Sequence, residues 1–421
     1  MRQYKDSGIE WIGKIPEAWE VTKLNTLYTQ RNEKVSDRDY TPLSVTMKGI
    51  LPQLETAAKT DNGDDRKLVR IGDFAINSRS DRRGSCGISP YDGSVSLINT
   101  ILKPRSEMNP NYYNWLFHSS LFSDEFYKWG HGIVDDLWTT RWQEMRNITV
   151  PSPTLEVQQR IADYLDTKCG EIDSLIALQE QMIEKLKAYK QSVITEAVTK
   201  GLDPNAKLVP SGIDWIGEIP EGWKIFALKW LMELYAGATP KSDNLSLWDG
   251  DIPWITPADY KTEDIYVCGG RRNISQKGFE SCATTILPKG SIIFSKRAPI
   301  GLVAINSQPL CTNQGCIGCI VNQKRALTKF YYYTLSIFKE QFELFGSGTT
   351  FKEISATKFA DFNVPVPPLS EQYAIASYLD EKCVDIDRLI ALKQQKIESL
   401  KDYKKSVIYE AVTGKTDLRD N

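Results

Sequence analysis

The sequence has few of the residues that usually carry chemistry. Its 421 residues include two histidines, His118 and His131, and eight cysteines that are spread along the chain. Cysteines spread in this way do not form the framework of a disulfide-stabilised domain. Three of them lie within residues 311–319, but no second pair of ligands follows, as a zinc site would need. We therefore predict an apolar strand at residues 316–321 and no metal site.

Long apolar runs and a large net charge are also absent. No stretch approaches the roughly 18 apolar residues of a membrane span, and the start, MRQYKDSGIEW, lacks the apolar run of a signal peptide. We therefore expect a cytoplasmic protein. The formal net charge is −2, whereas a protein that holds DNA unaided is usually basic, because phosphate neutralisation supplies most non-specific affinity. This balance argues against a lone DNA binder and leaves open a subunit of a larger DNA-binding assembly.

Catalytic motifs are missing as well. The sequence contains no phosphate-binding loop, no dinucleotide-binding glycine pattern and no metal-ligand motif. Asn109-Pro-Asn-Tyr112 is faintly similar to the N-P-P-Y signature of amino-methyltransferases, but Asn111 stands where the second proline belongs. A helix that begins near Pro110 is the better interpretation. We predict that the chain is not an enzyme and has no catalytic residues.

What the chain does contain is a duplication. Residues 7–19 (SGIEWIGKIPEAW) and 211–223 (SGIDWIGEIPEGW) share ten of 13 positions, and residues 150–199 share 32 of 50 positions with residues 364–413. The two stretches between these blocks have similar lengths and little similarity. A repeated frame with different inserts predicts a pseudo-two-fold molecule that recognises two unlike targets.

The longer repeated block has the pattern of a long amphipathic helix. Apolar residues recur at helical spacing from Leu155 to about Thr199, and Gly201 and Pro204 end the pattern. The second copy ends at Gly414. Such a helix needs a partner, and we predict that the two copies pair as an antiparallel, coiled-coil-like interface. Two unrelated surface helices, each covering its own domain, are the alternative. The predicted interface residues are Leu165, Ile172, Leu175, Ile176, Ile183, Leu186, Val193, Leu379, Ile386, Leu389, Ile390, Ile397, Leu400 and Val407.

The two inserts have a different residue pattern from the helices. Each combines short apolar or alternating runs, typical of strands, with one aromatic helical segment near its end, at residues 111–129 and 329–345. Gly72–Arg79 matches Gly290–Arg297, so an apolar framework is kept while the loops diverge. Divergent loops on a common framework are where binding specificity usually lies.

The predicted fold class is therefore α+β, with two globular α/β domains separated by two long helices. The first domain covers residues 1–149, including the repeat segment 7–19, and the first helix is the central spacer at 150–201. The second domain covers residues 202–363, with the repeat segment 211–223. The second, C-terminal helix covers residues 364–421.

The order of these blocks resembles a known family. A segment S-G-I-(E/D)-W-I-G-x-I-P-E-x-W is followed by a variable domain, then by V-P-x-P-x-L-x-x-Q and a long helix with I-A-x-Y-L-D-x-K, and all of this occurs twice. The chain is similar over its whole length to the specificity (S) subunit of type I restriction–modification systems.

This resemblance implies a non-catalytic DNA-recognition subunit. The two inserts would be target recognition domains, each reading one half of a bipartite, asymmetric site in double-stranded DNA. The helices would separate these domains and dock two copies of an adenine-N6 methyltransferase (M) subunit, and restriction and motor (R) subunits would complete the complex. S-adenosylmethionine, ATP and magnesium would be bound by the partner subunits and none of them by this chain.

Polar loops at matching places in the inserts are the candidate DNA contacts. Arginine binds guanine O6 and N7 or clamps phosphate, and amide side chains suit adenine N6 and N7. Backbone N–H groups and hydroxyls in a glycine-rich loop suit phosphate. Each of these loops also fits an ordinary solvated loop. The candidates are Arg79, Arg82 and Arg83 in the first insert and Lys296, Arg297, Thr312, Asn313, Gln314, Ser347, Thr349, Thr350 and Lys352 in the second.

Two other functions stay open on the sequence. A modification enzyme with its own methyltransferase activity is one, although every segment is already assigned and no room remains for a catalytic domain. A protein-interaction scaffold without a DNA role is the other, because paired helices alone do not indicate DNA.

Overall fold

The duplicated fifty-residue block forms two long helices in the structure, a computed structural model that describes residues 3–53, 63–105, 107–132, 138–261, 264–347 and 352–418. Helix α5 (Leu155–Lys200) covers 46 residues and α10 (Leu369–Val412) covers 44. Both helices end at a glycine in the left-handed conformation, Gly201 with φ +77° and Gly414 with φ +72°, as the sequence predicts.

Short strands and short helices precede each long helix. The first half of the chain contains β1 (Tyr4–Asp6), β2 (Lys14–Pro16), β3 (Glu20–Lys23), α1 (Leu24–Leu27), β4 (Tyr28–Arg31), β5 (Lys34–Val35), β6 (Leu43–Thr46), β7 (Gly49–Pro52), β8 (Arg66–Val69), β9 (Phe74–Asn77), β10 (Cys86–Ile88), β11 (Gly93–Ser96), β12 (Asn99–Pro104), α2 (Pro110–Phe117), α3 (Ser120–Lys128), α4 (Trp142–Met145), β13 (Thr149–Ser152) and α5 (Leu155–Lys200).

The second half contains β14 (Leu208–Pro210), β15 (Glu218–Pro220), β16 (Lys224–Ala227), β17 (Met232–Ala236), β18 (Trp248–Ile255), β19 (Tyr266–Val267), β20 (Arg272–Ile274), α6 (Gln276–Glu280), β21 (Ile292–Ser295), β22 (Val303–Asn306), β23 (Cys311–Thr312), β24 (Cys316–Val321), α7 (Thr328–Ile337), α8 (Lys339–Phe345), α9 (Ala356–Ala360), β25 (Asn363–Val366) and α10 (Leu369–Val412).

The central sheets of the two inserts share one strand order. In the first insert the order is β10-β9-β12-β4, and in the second the strands β22-β21-β24-β17 follow in the same order, with β19 added at one edge. The neighbouring strands in these two sets of four pair antiparallel. Strand β24 covers Cys316–Val321, which confirms the strand predicted there. The predicted common framework is therefore a common sheet.

Each aromatic segment forms two helices instead of the single one predicted. The break in the first insert follows Phe117, where the Ser119 hydroxyl caps α3 by accepting from the Phe122 N–H at 3.3 Å. In the first segment, Asn109 caps α2 by accepting from the N–H groups of Asn111 and Tyr112. The structure thus places a helix start at Pro110, as predicted.

Contacts divide the chain into two units. One consists of residues 1–181 and 394–421, and the other of residues 182–393. In the first unit the beginning of α5 packs against the end of α10, and Leu165 and Cys169 share a core with Val407 and Ala411. The domain boundaries predicted from the sequence, at residues 149, 201 and 363, assign each long helix to a segment of its own. The two contact units instead divide both helices, so that each unit contains one end of α5 and one end of α10.

The second unit repeats this packing with the helices exchanged. There the end of α5 packs against the beginning of α10, and Ala197 and Val198 share a core with Leu379 and Cys383. Since the beginning of each helix meets the end of the other, the two helices pack as an antiparallel pair. The alternative of two unrelated surface helices is wrong.

The short repeated segments pack on the ends of the long helices. A Cβ at Gly414, after α10, would lie 2.6 Å from Pro16 and 2.8 Å from Trp19 of the first segment. A Cβ at Gly201, after α5, would lie 3.2 Å from Trp223 of the second. Glycine is therefore needed at Gly414 for its positive φ and for the close approach of proline and tryptophan.

A buried glutamine joins the first turn of each long helix to its insert. The Gln158 amide accepts from the Asn109 N–H at 2.8 Å and donates to the Pro153 carbonyl at 2.7 Å. Gln372, at the equivalent position, accepts from the Leu327 N–H and donates to the carbonyls of Pro367 and Arg325. This contact explains the glutamine of the repeated V-P-x-P-x-L-x-x-Q pattern.

We expect Gln372→Leu to lower the free energy of unfolding by about 2–3 kcal/mol, because it leaves the buried Pro367 carbonyl and the part-buried Leu327 N–H and Arg325 carbonyl without this partner. Urea unfolding of the purified chain measures this change. Gln395→Leu, at an exposed position of the same helix, is the control and should stay within about 0.5 kcal/mol of the unmodified chain. Equal stability of the two variants would contradict the assignment.

Among the described residues, no helix combines the length and the apolar character needed to cross a membrane.

Candidate nucleic-acid interface

The equivalent arginines of the two inserts occupy the same backbone arrangement. In the first insert Thr139 pairs with both Arg79 and His131 through isolated β-bridges. In the second insert Glu353 pairs in the same way with Arg297 and Ser347. The predicted match between Arg79 and Arg297 thus corresponds to a shared three-segment bridge, which lies directly after β9 in the first insert and after β21 in the second.

In the second insert, two of the candidate basic residues, Lys296 and Arg297, contact the carboxylate of Glu353. Lys296 Nζ lies 2.7 Å from Glu353 Oε1, and Arg297 Nε lies 2.8 Å from Glu353 Oε2. Burial of Glu353 opposes its ionisation, but the hydrogen bonds from Lys296 and Arg297 outweigh this effect and lower the pKa of the carboxyl. The cluster of three side chains therefore carries one net positive charge at neutral pH.

The segment Thr312–Gln314 is tied to the same cluster through the backbone. The Lys296 N–H donates to the Gly315 carbonyl at 2.9 Å. Thr312 is buried in the pairing of β23 with β18, at 3 % exposed, whereas Gln314 is exposed and its amide oxygen accepts from the Thr239 hydroxyl. Of this segment, Gln314 presents the most accessible side chain.

A neighbouring loop, residues 237–247, packs on this segment. The indole N–H of Trp254 donates to the Ala238 carbonyl at 3.0 Å, and that of Trp248 donates to the Lys241 carbonyl at 3.0 Å. A Cβ at Gly237 would lie 2.1 Å from the Asn313 carbonyl oxygen. The sequence interpretation missed this loop and Glu353, although the matched position of Glu353 in the repeat was a signal that could have revealed it.

The remaining candidates of the second insert lie beside the bridge. Ser347 exchanges backbone hydrogen bonds with Glu353 at 3.0 and 3.1 Å, and Lys352 is exposed. Thr349 and Thr350 lie outside the described residues. The structure therefore brings together Lys296, Arg297 and the segments that carry Gln314 and Ser347.

The candidate arginines of the first insert are more dispersed. Arg82 lies 3.5 Å from Asp81, and Arg83 pairs with Asp124 at 3.1 Å while its guanidinium lies over the Tyr127 ring. Arg79 lines a cleft of about 340 Å³. The cleft is lined by Gln30, Lys67, Ser78, Arg79, Leu97, Ile98, Thr100, Thr139, Arg141 and Trp142. Lys67, Arg79 and Arg141 make this cleft basic. It is the first insert's counterpart to the Lys296 cluster, and a DNA contact at either site stays a prediction.

His118 and the clustered cysteines are placed as structural residues. His118 ends α2 with Nδ1 2.7 Å from the Asn114 carbonyl oxygen, and burial lowers the pKa of its imidazole. Burial raises the pKa of the Cys316 thiol to about 12 and that of Cys311 to about 11. These thiols stay protonated at neutral pH and are therefore poor nucleophiles.

Two equivalent ion pairs link the long helices. Asp173 accepts from Lys404 at 2.7 Å, and Asp387 accepts from Lys190 at 2.6 Å. Asp173 and Lys190 have Asp387 and Lys404 as their respective counterparts in the repeat. The same contact is thus made twice, once in each unit.

The predicted interface residues divide into three groups by burial. Those at most 8 % exposed are Leu165, Ile172, Ile183, Leu379, Ile386, Ile397, Leu400 and Val407. Those partly exposed are Ile176, Leu186, Val193 and Ile390. Leu175 and Leu389 differ from the prediction, because they are 47 % and 46 % exposed. Both lie on the outward face of their helix, since the faces that meet in the pair are filled by the buried group.

The outward faces display matching apolar side chains. Leu178 and Leu392 are 49 % and 52 % exposed, and Tyr189 and Tyr403 are 59 % and 50 % exposed. Leu175 with Leu389, Leu178 with Leu392 and Tyr189 with Tyr403 are counterparts in the repeat. We call Leu175, Leu178 and Tyr189 with their counterparts the outward stripes. Exposed apolar residues that recur at the same helical positions are typical of a protein-binding surface.

Comparison with known proteins gives matches over part of the chain and over nearly all of it. The family model for the type I restriction modification DNA specificity domain matches residues 220–402. The putative type I restriction enzyme MjaX specificity subunit of Methanocaldococcus jannaschii is 26 % identical to the chain, over 97 % of this chain and 96 % of the relative.

Two further matches differ in the share of the chain that they cover. The type I restriction enzyme MjaIX specificity subunit of the same organism is 37 % identical over 44 % of this chain, and the match spans 42 % of that relative's length. A chain from a solved structure of the type I R-M system, reported for complex assembly and conformational transition, superposes with a TM-score of 0.75. That superposition has 17 % identity and covers 96 % of this chain and 99 % of the other. It confirms the predicted fold of α/β domains joined by long helices.

Proposed function

Because this chain belongs to the family of type I restriction–modification DNA specificity subunits, we propose that it recognises a bipartite, asymmetric sequence in double-stranded DNA. The observation that carries this proposal is that the two inserts share one sheet order but differ at the residues that follow the equivalent strands. A common frame presents a different set of side chains to each half of the target. Each insert then acts as a target recognition domain for one half-site.

The paired helices set the gap between the half-sites and dock two adenine-N6 methyltransferase subunits. The outward stripes support this part of the proposal, because Leu175 and Leu178 have equally exposed counterparts in Leu389 and Leu392. Two like surfaces suit two copies of one partner. Restriction subunits join through the methyltransferase complex.

The chain itself performs no catalysis in this proposal, and S-adenosylmethionine, ATP and magnesium are bound by the partner subunits. The side chains best suited to proton transfer support this division of labour, because they are not duplicated. His131 has Ser347 at the equivalent bridge position, and burial lowers the pKa of the His118 imidazole. A repeated molecule whose halves each did chemistry would repeat the reacting groups.

The net charge of −2 indicates that partners supply much of the positive surface that DNA binding needs. Sequencing of methylated adenines after the chain is expressed with its methyltransferase subunit tests the proposal. We expect one bipartite motif with two different halves. A symmetric motif, or methylation without sequence preference, would overturn it.

Arg79→Ala and Arg297→Ala form a matched pair that separates the two half-sites. We expect each variant to weaken recognition of one half-site by about 1–3 kcal/mol, roughly 5-fold to 150-fold, and to leave the other half unaffected. Binding of the assembled complex to duplexes that each carry one altered half-site measures this effect. Equal losses at both half-sites, or no loss at either, would contradict the assignment.

A further inference from the structure

The two inserts fill the centre of their shared bridge with different residues. Thr139 lies beside Arg79 in the first insert, and Glu353 lies beside Arg297 in the second. The sequence offset that relates the long helices also relates Thr139 to Glu353. Because the bridge forms with threonine at this position, the backbone arrangement does not require a carboxylate there. The carboxylate of Glu353 therefore serves something other than the frame.

Glu353 is fixed from two sides. One carboxylate oxygen lies 2.7 Å from Lys296 Nζ and the other lies 2.8 Å from Arg297 Nε. The Lys296 side chain is only 14 % exposed, and its carbonyl accepts from the Ile354 N–H at 3.0 Å. A half-buried lysine on a paired backbone thus orients the carboxylate, and the carboxylate in turn orients Arg297.

The contact with Glu353 uses the Arg297 Nε–H at 2.8 Å, so it does not use the end-on N–H groups of the two terminal nitrogens. Arg297 therefore keeps the end-on fork that matches O6 and N7 of guanine. The Arg297 side chain is 45 % exposed, so this fork is accessible.

We propose that Glu353 is a positioning residue that holds Arg297 as a reader of a guanine edge in the half-site of the second insert. This inference rests on the proposed function. An arginine fixed before binding loses less conformational freedom when it contacts DNA, and a fixed fork accepts fewer alternative bases. At the equivalent bridge position the first insert carries Thr139, which has no carboxylate to hold Arg79 in this way.

The test uses the chain assembled with its methyltransferase subunit. The motif of the unmodified complex is first determined by sequencing methylated sites. Binding is then measured to the motif duplex and to duplexes with single base-pair changes in either half-site. The variants are Arg297→Ala, Glu353→Gln, the double variant and Glu353→Thr, which introduces the residue that the first insert carries.

We expect the unmodified complex to prefer guanine at one position of the second half-site by about tenfold or more. In Glu353→Gln and Glu353→Thr this preference should fall below about threefold, with the other positions unchanged. The double variant should lose no more than Arg297→Ala alone, since both changes remove one interaction. Arg297→Ala should also leave the salt dependence of binding unchanged, because a base contact releases no phosphate counterion.

The remaining outcomes separate the two levels of the proposal. Glu343→Gln, at an exposed position of α8, is the control and should keep the full preference. Additive losses in the double variant, a uniform loss at all positions, or a salt slope that falls by about one would overturn the role of Glu353. A complex that binds DNA without sequence preference would instead overturn the proposed function itself.

Discussion

Leu389→Asp combined with Leu392→Asp should reduce the number of methyltransferase subunits bound per chain from two to one. Both leucines are about half exposed, at 46 % and 52 %, so the substitutions leave the helix pair intact. A docked partner would bury two unpaired carboxylates, and each costs several kcal/mol. Docking at this helix should therefore weaken by about 100-fold or more.

Native mass spectrometry of the assembled complex measures the stoichiometry. The matched variant Leu175→Asp with Leu178→Asp should give the same loss, because these positions are the counterparts in the other copy. The combination of all four substitutions should leave no methyltransferase bound and reduce DNA methylation to background. Gln394→Asp is the control, because Gln394 is exposed and its counterpart Glu180 is already acidic. If the Leu389 and Leu392 variant still bound two methyltransferase subunits, the proposal that the outward stripes dock these subunits would be wrong.

Helical period and end signals were enough to predict the long helices. The repeated apolar positions predicted helices that end at Gly201 and Gly414, and both glycines have positive φ. The close identity of the two copies also predicted the antiparallel pair. These features are local or repeated, so the sequence contains them directly.

Burial around the long helices was less predictable than their ends. Leu175 continues the apolar pattern next to Ile172, but it is 47 % exposed while Ile172 is 2 % exposed. A wide apolar face cannot be divided by period alone into a side that packs inward and a side that faces outward. That division depends on which neighbouring element covers each side chain.

The candidate site shows the same limit. Arg297 was found because it follows an apolar run that matches the one before Arg79, which is a pattern in sequence. Glu353 contacts Arg297 across 56 residues of chain, and Thr239 contacts Gln314 across 75. Long-range contacts of this kind are set by the sheet order and by the loops between strands, so single-sequence patterns do not reveal them.

Lengthening both long helices by one heptad should widen the gap between the half-sites by two or three base pairs. Seven residues add about 10 Å to a helix, and one base pair spans about 3.4 Å along the DNA axis. Three base pairs is the upper bound for the added gap, because any tilt of the helices relative to the DNA axis shortens the distance that they add along this axis. A four-residue insertion, about 6 Å, gives at most two.

The ion pairs between the helices define where the insertion belongs. Asp173–Lys404 and Lys190–Asp387 lie on either side of the central segments. Duplicating residues 178–184 in α5 and the equivalent residues 392–398 in α10 therefore preserves both pairs. A heptad rotates the outer part of each helix by only about 20°, whereas four residues rotate it by about 40°. The heptad insertion should therefore keep the buried faces in contact.

Sequencing of methylated sites measures the new gap directly, and the two half-site sequences should remain unchanged because the inserts are untouched. The matched control lengthens α5 alone, which shifts Lys190 away from Asp387 by nearly two turns and should destabilise the pair without giving one new gap. An unchanged gap in a folded, active complex with both helices lengthened would show that the spacing is set by the methyltransferase subunits. In that case the helix pair would dock the methyltransferase subunits without setting the gap between the half-sites.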